Sequence, residues 1–230
     1  MKKVLVLIPA YNEAESIEKV VDDLRENHPY YDYLIVNDGS KDNTLAVCKK
    51  RGYHVMTFPV NLGLECGFIA GMKYAYRKGY DYIVQFDADG QHISDYISDI
   101  YEEIEMGYDI VIGSRFATEK KPASLRMLGS SMISLAIKIT TGKTIKDPTS
   151  GMRMYNRKCM EIFSKDINYG PEPDTISYLI RNDFKVSEVQ VEMKEREAGK
   201  SYLTISKSIS YMFKMMTSIL LVQAFRKKVG

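Results

Sequence analysis

The chain has 230 residues, of which 45% are apolar and 27% charged, and its 32 basic side chains nearly balance 30 acidic ones. This composition is typical of a folded protein with one large domain, and the net charge of +2 gives no reason to expect nucleic-acid binding. Three widely spaced cysteines fit neither a disulfide framework nor a zinc site, which favours a reducing compartment. No apolar run approaches the roughly 18 residues of a membrane-spanning helix, although attachment to a membrane surface stays open.

Short apolar runs alternate with longer amphipathic stretches over the first 113 residues. Periodicity predicts strands at 4–8, 33–36, 55–58, 82–86 and 109–113, and helices at 13–26, 42–51, 68–77 and 93–106. Strands that alternate with helices predict an α/β fold with a mainly parallel sheet sandwiched by helices. Ligands of such folds bind beyond the carboxyl ends of the strands, so the residues that follow each apolar run are the candidates for a site.

The pattern changes beyond the fifth predicted strand. A polar segment at 117–123 predicts a mobile loop, and a helix follows at 125–139. Further strands are predicted at 150–155 and 185–193, on either side of a helix at 175–181. These elements extend the same domain.

The last segment has the character of an amphipathic helix. From 203 to 225 an apolar stripe follows a helical period, with basic residues at both ends. Such a helix lies in a membrane interface, with its basic residues near anionic headgroups, or packs against protein. We therefore divide the chain into a main domain, 1–202, and a helix, 203–230, that meets a membrane surface, a small membrane protein, a second copy in a homodimer or its own domain.

Two aspartates lie one residue apart where the fourth predicted strand ends. Asp87 and Asp89 can turn toward one divalent cation there, and Gln91 can add a neutral oxygen. Such ligands suit Mg²⁺ or Mn²⁺, with phosphate oxygens of a substrate completing the coordination. An acidic turn without a ligand is the simple alternative. An aspartyl-phosphate phosphatase is another, but that site is expected after the first strand, with Thr or Val where Gln91 follows the glycine.

The other strand ends carry motifs of their own. They are PAYNE at 9–13, NDGSKDNT at 37–44, NLG at 61–63 and GSRF at 113–116, with DPTSGMR at 147–153 and REAGKS at 196–201 further on. Together with the paired aspartates, this ordered set resembles the family 2 glycosyltransferases with the GT-A fold, over residues 3 to about 202. Within that family the likeness is greatest to polyprenyl-phosphate sugar transferases of the dolichol-phosphate mannose synthase kind.

The resemblance implies roles for the residues at these strand ends. The nucleotide pocket would be formed by Pro9, Tyr11, Glu13, Asp38, Asp87 and Asp89. Tyr11 would stack and Glu13 would accept from ribose hydroxyls, while Asp38 would accept from the base. A Mg²⁺ or Mn²⁺ ion would be held by Asp87, Asp89 and Gln91 across the diphosphate of the donor.

Cationic and hydroxyl side chains would gather the phosphate groups of donor and acceptor. The candidates are Arg115, Arg126, Ser130, Arg153, Arg196, Lys200 and Ser201. Arg126 and Ser130 are four residues apart and share one helix face, which fits the acceptor-binding helix of the family. Arginine suits bidentate contacts with phosphate, although solvated surface charge is the alternative for at least one of these residues.

Glu172 and Asp174 stand where many relatives carry an acidic pair. Either carboxylate could act as a base toward a sugar hydroxyl or bind the donor sugar, so both join Asp89, Arg115 and Arg126 as catalytic candidates. The alternative is structural: the prolines beside them shape the start of a helix, which Asp174 helps to cap.

The resemblance implies an inverting, metal-dependent enzyme that moves a sugar from a nucleotide-sugar to a polyprenyl phosphate on the cytoplasmic face of a membrane. UDP-glucose or UDP-N-acetylglucosamine is the expected donor. A saccharide hydroxyl of a surface polysaccharide or glycolipid is the alternative acceptor. A regulatory subunit that binds nucleotide without transfer is the non-enzymatic alternative, which the intact aspartate pair disfavours.

Overall fold

The structure is a computed structural model that describes residues 2–165, 170–194 and 205–226. Its strands are β1 (Val4–Ala10), β2 (Asp32–Asn37), β3 (Val55–Thr57), β4 (Tyr82–Gln85), β5 (Ile110–Ser114), β6 (Arg153–Asn156) and β7 (Val186–Gln190). Its helices are α1 (Ile17–Asn27), α2 (Thr44–Lys50), α3 (Leu64–Lys78), α4 (Tyr96–Glu105), α5 (Leu125–Thr141), α6 (Arg157–Lys165), α7 (Pro173–Arg181) and α8 (Ile205–Leu220), followed by a 3₁₀ turn at Val222–Phe225. Helix α6 is the one described helix that the sequence pattern did not predict.

The seven strands form one sheet in the order β3-β2-β1-β4-β6-β5-β7. All neighbouring pairs are parallel except those made by β6, which runs antiparallel to β4 and β5. The expectation of a mainly parallel α/β sheet is therefore confirmed. The parallel order brings the carboxyl ends of β1, β2, β4 and β5 to one edge, which is where the candidate residues lie.

Both faces of the sheet are covered, and β1 shows why its run is continuously apolar. Leu5 and Leu7 point into a core shared with α3 and α6, while Val4, Val6 and Ile8 enter a second core with α1 and α4. Neighbouring side chains on a strand point to opposite faces, so a strand buried on both sides needs apolar residues throughout.

Helix α8 is part of this packing. Its Met215 and Ile219 are buried in the same core as α5 and α7. Gly129 of α5 makes room for Met212 of α8, because a β-carbon at that glycine would overlap the methionine sulfur. The predicted division at residue 202 falls outside the described residues. No helix of the described segments is both long and apolar enough to cross a bilayer.

Candidate functional site

The loop after β4 holds the paired aspartates in place through its own backbone. The buried Asp89 carboxylate accepts a hydrogen bond from the amide of Gln91 at 3.0 Å. Gln91 is tied across the loop to Lys194, whose amide donates to the Gln91 carbonyl at 2.9 Å. The sequence 89–91 therefore forms a short turn, as Asp-Gly pairs favour, with both ends anchored.

The Asp87 carboxylate lies between His92 and Gly151. The amide of Asp87 donates to His92 Nδ1 at 2.9 Å, so the other ring nitrogen, Nε2, carries the proton and lies 3.6 Å from Asp87 Oδ2. On the other side a β-carbon at Gly151 would lie 2.9 Å from the same Oδ2. The glycine of the Ser-Gly motif thus provides the space that the carboxylate occupies.

This donor set fits a hard divalent cation. Asp87 and Asp89 offer carboxylate oxygens and Gln91 an amide oxygen, which are the ligands that Mg²⁺ and Mn²⁺ take. Within the described ranges no group of three or more His, Cys, Asp or Glu side chains could hold a metal ion. Two carboxylates and one amide would fill only part of an octahedral shell and leave positions for substrate phosphates and water.

The predicted nucleoside pocket lies where the loops after β1 and β2 interlock. The amide of Glu13 donates to Thr44 Oγ1 at 2.9 Å, and the amide of Lys41 donates to Asn12 Oδ1 at 2.8 Å. Glu13 itself accepts from Ser16 Oγ at 3.0 Å. These bonds tie the loop of Asn12 and Glu13 to the loop after β2, and the contacts of Pro9, Tyr11 and Glu13 with a nucleotide stay a prediction.

Asp38 has a structural task, in line with the alternative that the sequence also allows for it, turn formation or capping. Its two carboxylate oxygens accept hydrogen bonds from the amides of Leu62 and Gly63, at 2.7 and 2.8 Å. The 6%-exposed carboxylate therefore fixes the loop that leads into α3. A contact with the base of a nucleotide would be additional to this role.

Arg115 and Asp147 form a bidentate ion pair at the end of β5. Arg115 Nε and Nη2 donate to the two oxygens of Asp147 at 2.7 and 2.8 Å, and the Arg115 amide donates at 3.1 Å. Burial opposes ionisation of Asp147, but the hydrogen bonds and charge of Arg115 outweigh it and hold the pKa of this carboxyl below its ordinary value. The Arg115 side chain remains 21% exposed, so it can still meet a ligand while Asp147 fixes its direction.

The 147–151 loop joins this ion pair to the acidic loop, the segment after β4 that carries Asp87 and Asp89. Ser150 Oγ donates to the Gly113 carbonyl at 2.5 Å, and the next residue, Gly151, lies against Asp87. The structure therefore brings Arg115 and Asp87 to the same end of the sheet, as the sequence predicted.

The segment at 117–123, predicted to be a mobile loop, makes defined contacts with α5. Lys121 Nζ donates to Ser130 Oγ at 2.9 Å and to Ser134 Oγ at 3.4 Å. Ser130 is thus placed in the site, but with Lys121 as its partner. Sequence reasoning missed Lys121 because nothing in the pattern distinguishes it from the neighbouring Lys120.

Arg153 corrects a prediction. It is 2% exposed, and its guanidinium donates to the carbonyls of Pro148, Ser150 and Pro171 at 2.7, 2.8 and 3.0 Å. Arginine recognises phosphate through these same N–H groups. Here they hold the loops on either side of β6, so Arg153 supports the site instead of binding a phosphate.

Glu172 and Asp174 also differ from the expected base role. Tyr211 of α8 donates to the Glu172 carboxylate, and Ser218 donates to Asp174 Oδ2 at 2.6 Å. Arg226 lies 3.6 Å from the same oxygen. Helix α7 begins with Pro173, as the structural alternative expects, but no side chain of the described residues caps it, so Asp174 lies in the first turn without acting as a cap. Both carboxylates dock the C-terminal helix, which corrects the expectation that either acts as a base.

Three of the remaining predicted residues lie outside the described residues, and of the fourth, Arg126, only the place in a helix is described. Arg196, Lys200 and Ser201 lie outside the described residues. Arg126 lies in the first turn of α5, after the cap that Ser124 makes by accepting from the Met127 amide at 3.2 Å. Their roles stay predictions.

Comparison with known proteins agrees with this geometry. The family "Glycosyl transferase family 2" matches residues 5–163. Polyprenol monophosphomannose synthase of Mycolicibacterium smegmatis is 32% identical, over 93% of this chain and 86% of its own length. Undecaprenyl-phosphate mannosyltransferase of Micrococcus luteus is also 32% identical, over 88% of both chains.

Solved structures share the fold. Glucosyl-3-phosphoglycerate synthase from Mycobacterium tuberculosis, crystallised with Mn²⁺, uridine diphosphate and phosphoglyceric acid, superimposes with a TM-score of 0.71. That match covers 100% of this chain and 81% of the other at 14% identity, so it speaks for the fold alone. The paired aspartates beyond β4, the interlocked loops and the family match lead to one conclusion: this chain is a glycosyltransferase enzyme and belongs to glycosyl transferase family 2.

Proposed function

We propose that this enzyme transfers a sugar from a nucleotide-sugar to a polyprenyl phosphate. The observation that carries the proposal is the match with two polyprenyl-phosphate mannosyl transferases at 32% identity, over 86% and 88% of their own lengths. The arrangement of the site is compatible with it, because the acidic loop and the Arg115–Asp147 pair lie at the same end of the sheet. The acidic loop would serve the donor diphosphate, and Arg115 would serve the acceptor phosphate.

The reaction forms a bond between an acceptor phosphate oxygen and the anomeric carbon, and breaks the bond from that carbon to the donor diphosphate. The attacking phosphate oxygen is already ionised at neutral pH, so no strong base is needed. This agrees with the docking role of Glu172 and Asp174. A Mg²⁺ or Mn²⁺ ion at Asp87, Asp89 and Gln91 would neutralise charge on the departing nucleoside diphosphate. Attack opposite the leaving group inverts the anomeric centre.

We infer a uridine donor. The support is a 28%-identical relative from Methanococcus voltae whose name includes UDP-N-acetylglucosamine and dolichyl phosphate. The first two relatives name mannose instead, so the sugar itself is open to direct assay. A panel of UDP-, GDP- and dTDP-sugars with Mn²⁺ tests the base, because a ligand that binds the native state alone raises the melting temperature.

Asp89→Ala is the test of the site. We expect it to abolish sugar transfer in Mg²⁺ or Mn²⁺ while the circular dichroism spectrum stays native. Asp99→Ala, an exposed aspartate on α4, is the matched control and keeps full activity. Full activity of Asp89→Ala would refute the metal assignment. Transfer to an oligosaccharide but not to a polyprenyl phosphate would replace the acceptor and leave the enzyme class in place.

We further propose that α5 and the C-terminal helix attach the protein to the cytoplasmic surface of a membrane. Four apolar residues of α5 are exposed at helical spacing, namely Leu128, Met132, Leu135 and Ile139, at 59, 47, 57 and 68%. Phe213 of α8 is 77% exposed and Phe225 88%. Helices that have one apolar face and flanking lysines bind membrane interfaces. A large continuous patch of exposed apolar surface is unusual on a monomeric protein.

Vesicle flotation tests this attachment. Wild-type protein is expected to float with vesicles of anionic phospholipid, and Leu135→Glu with Ile139→Glu to stay in solution while remaining folded. Glu102→Gln, an exposed change on α4, is a control that should float normally. A dimer in solution that ignores vesicles would show that this face meets a second copy.

A further inference from the structure

Lys121 occupies an unusual position for a lysine of a surface loop. It is half-buried, its Nζ lies 5.7 Å from the centre of the Phe116 ring, and its two hydrogen-bond partners are the hydroxyls of Ser130 and Ser134. In the parts of the chain that the structure describes, no carboxylate lies within ion-pair distance of this ammonium. A charge that is partly out of water and has no carboxylate in contact is costly, so a bound anion would stabilise it.

The surroundings favour an anion with room beside it. Lys121 lines an open cavity of about 220 Å³ together with Phe116, Ser134 and Lys146. Glu119 also lines this cavity, but it is exposed. An ammonium has three N–H donors and only two are used here, so one remains for a ligand. Burial lowers the pKa of the Lys121 ammonium below its ordinary value, although the charges of Asp147 and Glu188 act in the opposite direction.

Helix α5 carries the other half of the argument. Ser130 and Ser134 hold Lys121 at one face of the helix, while Leu128, Met132 and Leu135 are exposed on another. A ligand with a phosphate at Lys121 and an apolar chain along the helix would pair the ammonium and cover the exposed apolar side chains. The charges that act on Lys121 are those of Asp147, Glu188 and Arg115, and Asp147 is already paired with Arg115.

We propose that Lys121 binds the phosphate of the acceptor, and that Ser130 positions its ammonium instead of contacting the phosphate first. This inference rests on the proposed function and deepens it, because it assigns a residue to the acceptor side of the site. Lysine binds phosphate as a point charge, so the contact tolerates some freedom of the phosphate.

The variants are Lys121→Met, which removes the charge and keeps the length, and Lys121→Arg, which keeps the charge. Lys120→Met, on the exposed neighbour, is the matched control. Binding is measured by calorimetry on the full chain with three probes: farnesyl phosphate, farnesol and inorganic phosphate. Acceptor and donor KM values are measured in parallel.

Lys121→Met is expected to weaken farnesyl phosphate binding and raise the acceptor KM about 10- to 100-fold, the usual effect of one charge-assisted hydrogen bond. Donor KM should stay unchanged, Lys121→Arg should recover most of the loss, and Lys120→Met should behave as wild type. A parallel loss for inorganic phosphate would show that the phosphate suffices. Loss for farnesyl phosphate alone would show that the chain is needed too, and both results support the proposal.

Two results would overturn it. One is unchanged binding of farnesyl phosphate by Lys121→Met, and the other is an equal loss for farnesol, which carries no phosphate. Titration of the wild type with a uridine nucleotide and Mn²⁺ separates this failure from that of the proposed function. If the donor binds and is turned over while the Lys121 variants show no effect, the inference fails alone; if the wild type turns over no nucleotide-sugar, the proposed function fails.

Discussion

Replacing Arg115 by Met should leave the buried Asp147 carboxylate, near the site, without its positive partner. Asp147 is fully buried and accepts three hydrogen bonds from Arg115, at 2.7, 2.8 and 3.1 Å. The variant keeps the backbone bond but removes both bonds from the guanidinium, leaving a carboxylate with too few donors. Breaking one side of a buried pair costs about 3–5 kcal/mol. Because Arg115 is 21% exposed, we expect a loss near the lower end, about 3 kcal/mol.

The pH dependence gives the prediction its sharpest form. Arg115 holds the pKa of Asp147 below its ordinary value, so the stabilisation is present above the unfolded-state pKa and is lost as the pH falls through the folded-state pKa. In Arg115→Met burial is opposed only by the backbone amide of residue 115 and the Thr149 hydroxyl, so the protonated acid is favoured more than in the wild type. The difference in unfolding free energy between variant and wild type should therefore shrink as the pH falls from 7 toward about 4, the ordinary aspartate pKa.

Urea unfolding at several pH values measures both effects. The double variant Arg115→Met with Asp147→Asn removes the charge as well as its partner, and should regain part of the loss at pH 7. The reasoning is refuted if Arg115→Met unfolds within about 0.5 kcal/mol of wild type, the size of an ordinary surface change. It is also refuted if the difference grows on acidification.

Three further variants test other contacts of the site. Gly151→Ala places a β-carbon 2.9 Å from Asp87 Oδ2. It should raise the Mn²⁺ concentration for half-maximal activity about tenfold, the effect of losing one supporting contact. An unchanged Mn²⁺ dependence would show that the Asp87 carboxylate does not need the space at Gly151. His92→Phe leaves the Asp87 amide without its acceptor and should lower the free energy of unfolding in urea by about 1–3 kcal/mol. An unfolding curve identical to that of the wild type would show that water replaces the ring nitrogen. Tyr211→Phe removes the donor to Glu172 and should destabilise the protein by about 1 kcal/mol. Relative to the wild type, hydrogen exchange should become faster in α8 but not in α1. Unchanged exchange in α8 would disprove the docking role.

Much of the fold was accessible from local patterns, and the exceptions have physical causes. Strand β1 is apolar on both faces, so it could only be a central strand of a covered sheet. Helix α6 begins directly after β6, and its one start signal is Asn156, which ends the strand and accepts from the Cys159 amide at 3.0 Å. The antiparallel β6 could not be foreseen either, since strand direction depends on which neighbours it pairs with.

The candidate site divides in the same way. Residue type and position after a strand were enough to single out Asp87, Asp89 and Arg115, because the carboxyl ends of parallel strands meet at one edge. The arginines were indistinguishable by type, yet Arg153 is buried on backbone carbonyls and Arg115 is partly exposed. Burial depends on residues far away in sequence, such as Pro171, whose carbonyl accepts from Arg153.

By itself the sequence determined the layered α/β architecture, the place of the acidic loop and the family, because each depends on spacing along the chain. Only the tertiary structure decided which charges are free to meet a ligand and which hold the protein together. Lys121, for which the sequence made no prediction, is hydrogen-bonded to hydroxyls of α5, and Glu172, a predicted catalytic candidate, is hydrogen-bonded to Tyr211. A side chain's partner is set by what folding brings within about 3 Å of it, and that distance is not written in its neighbours along the chain.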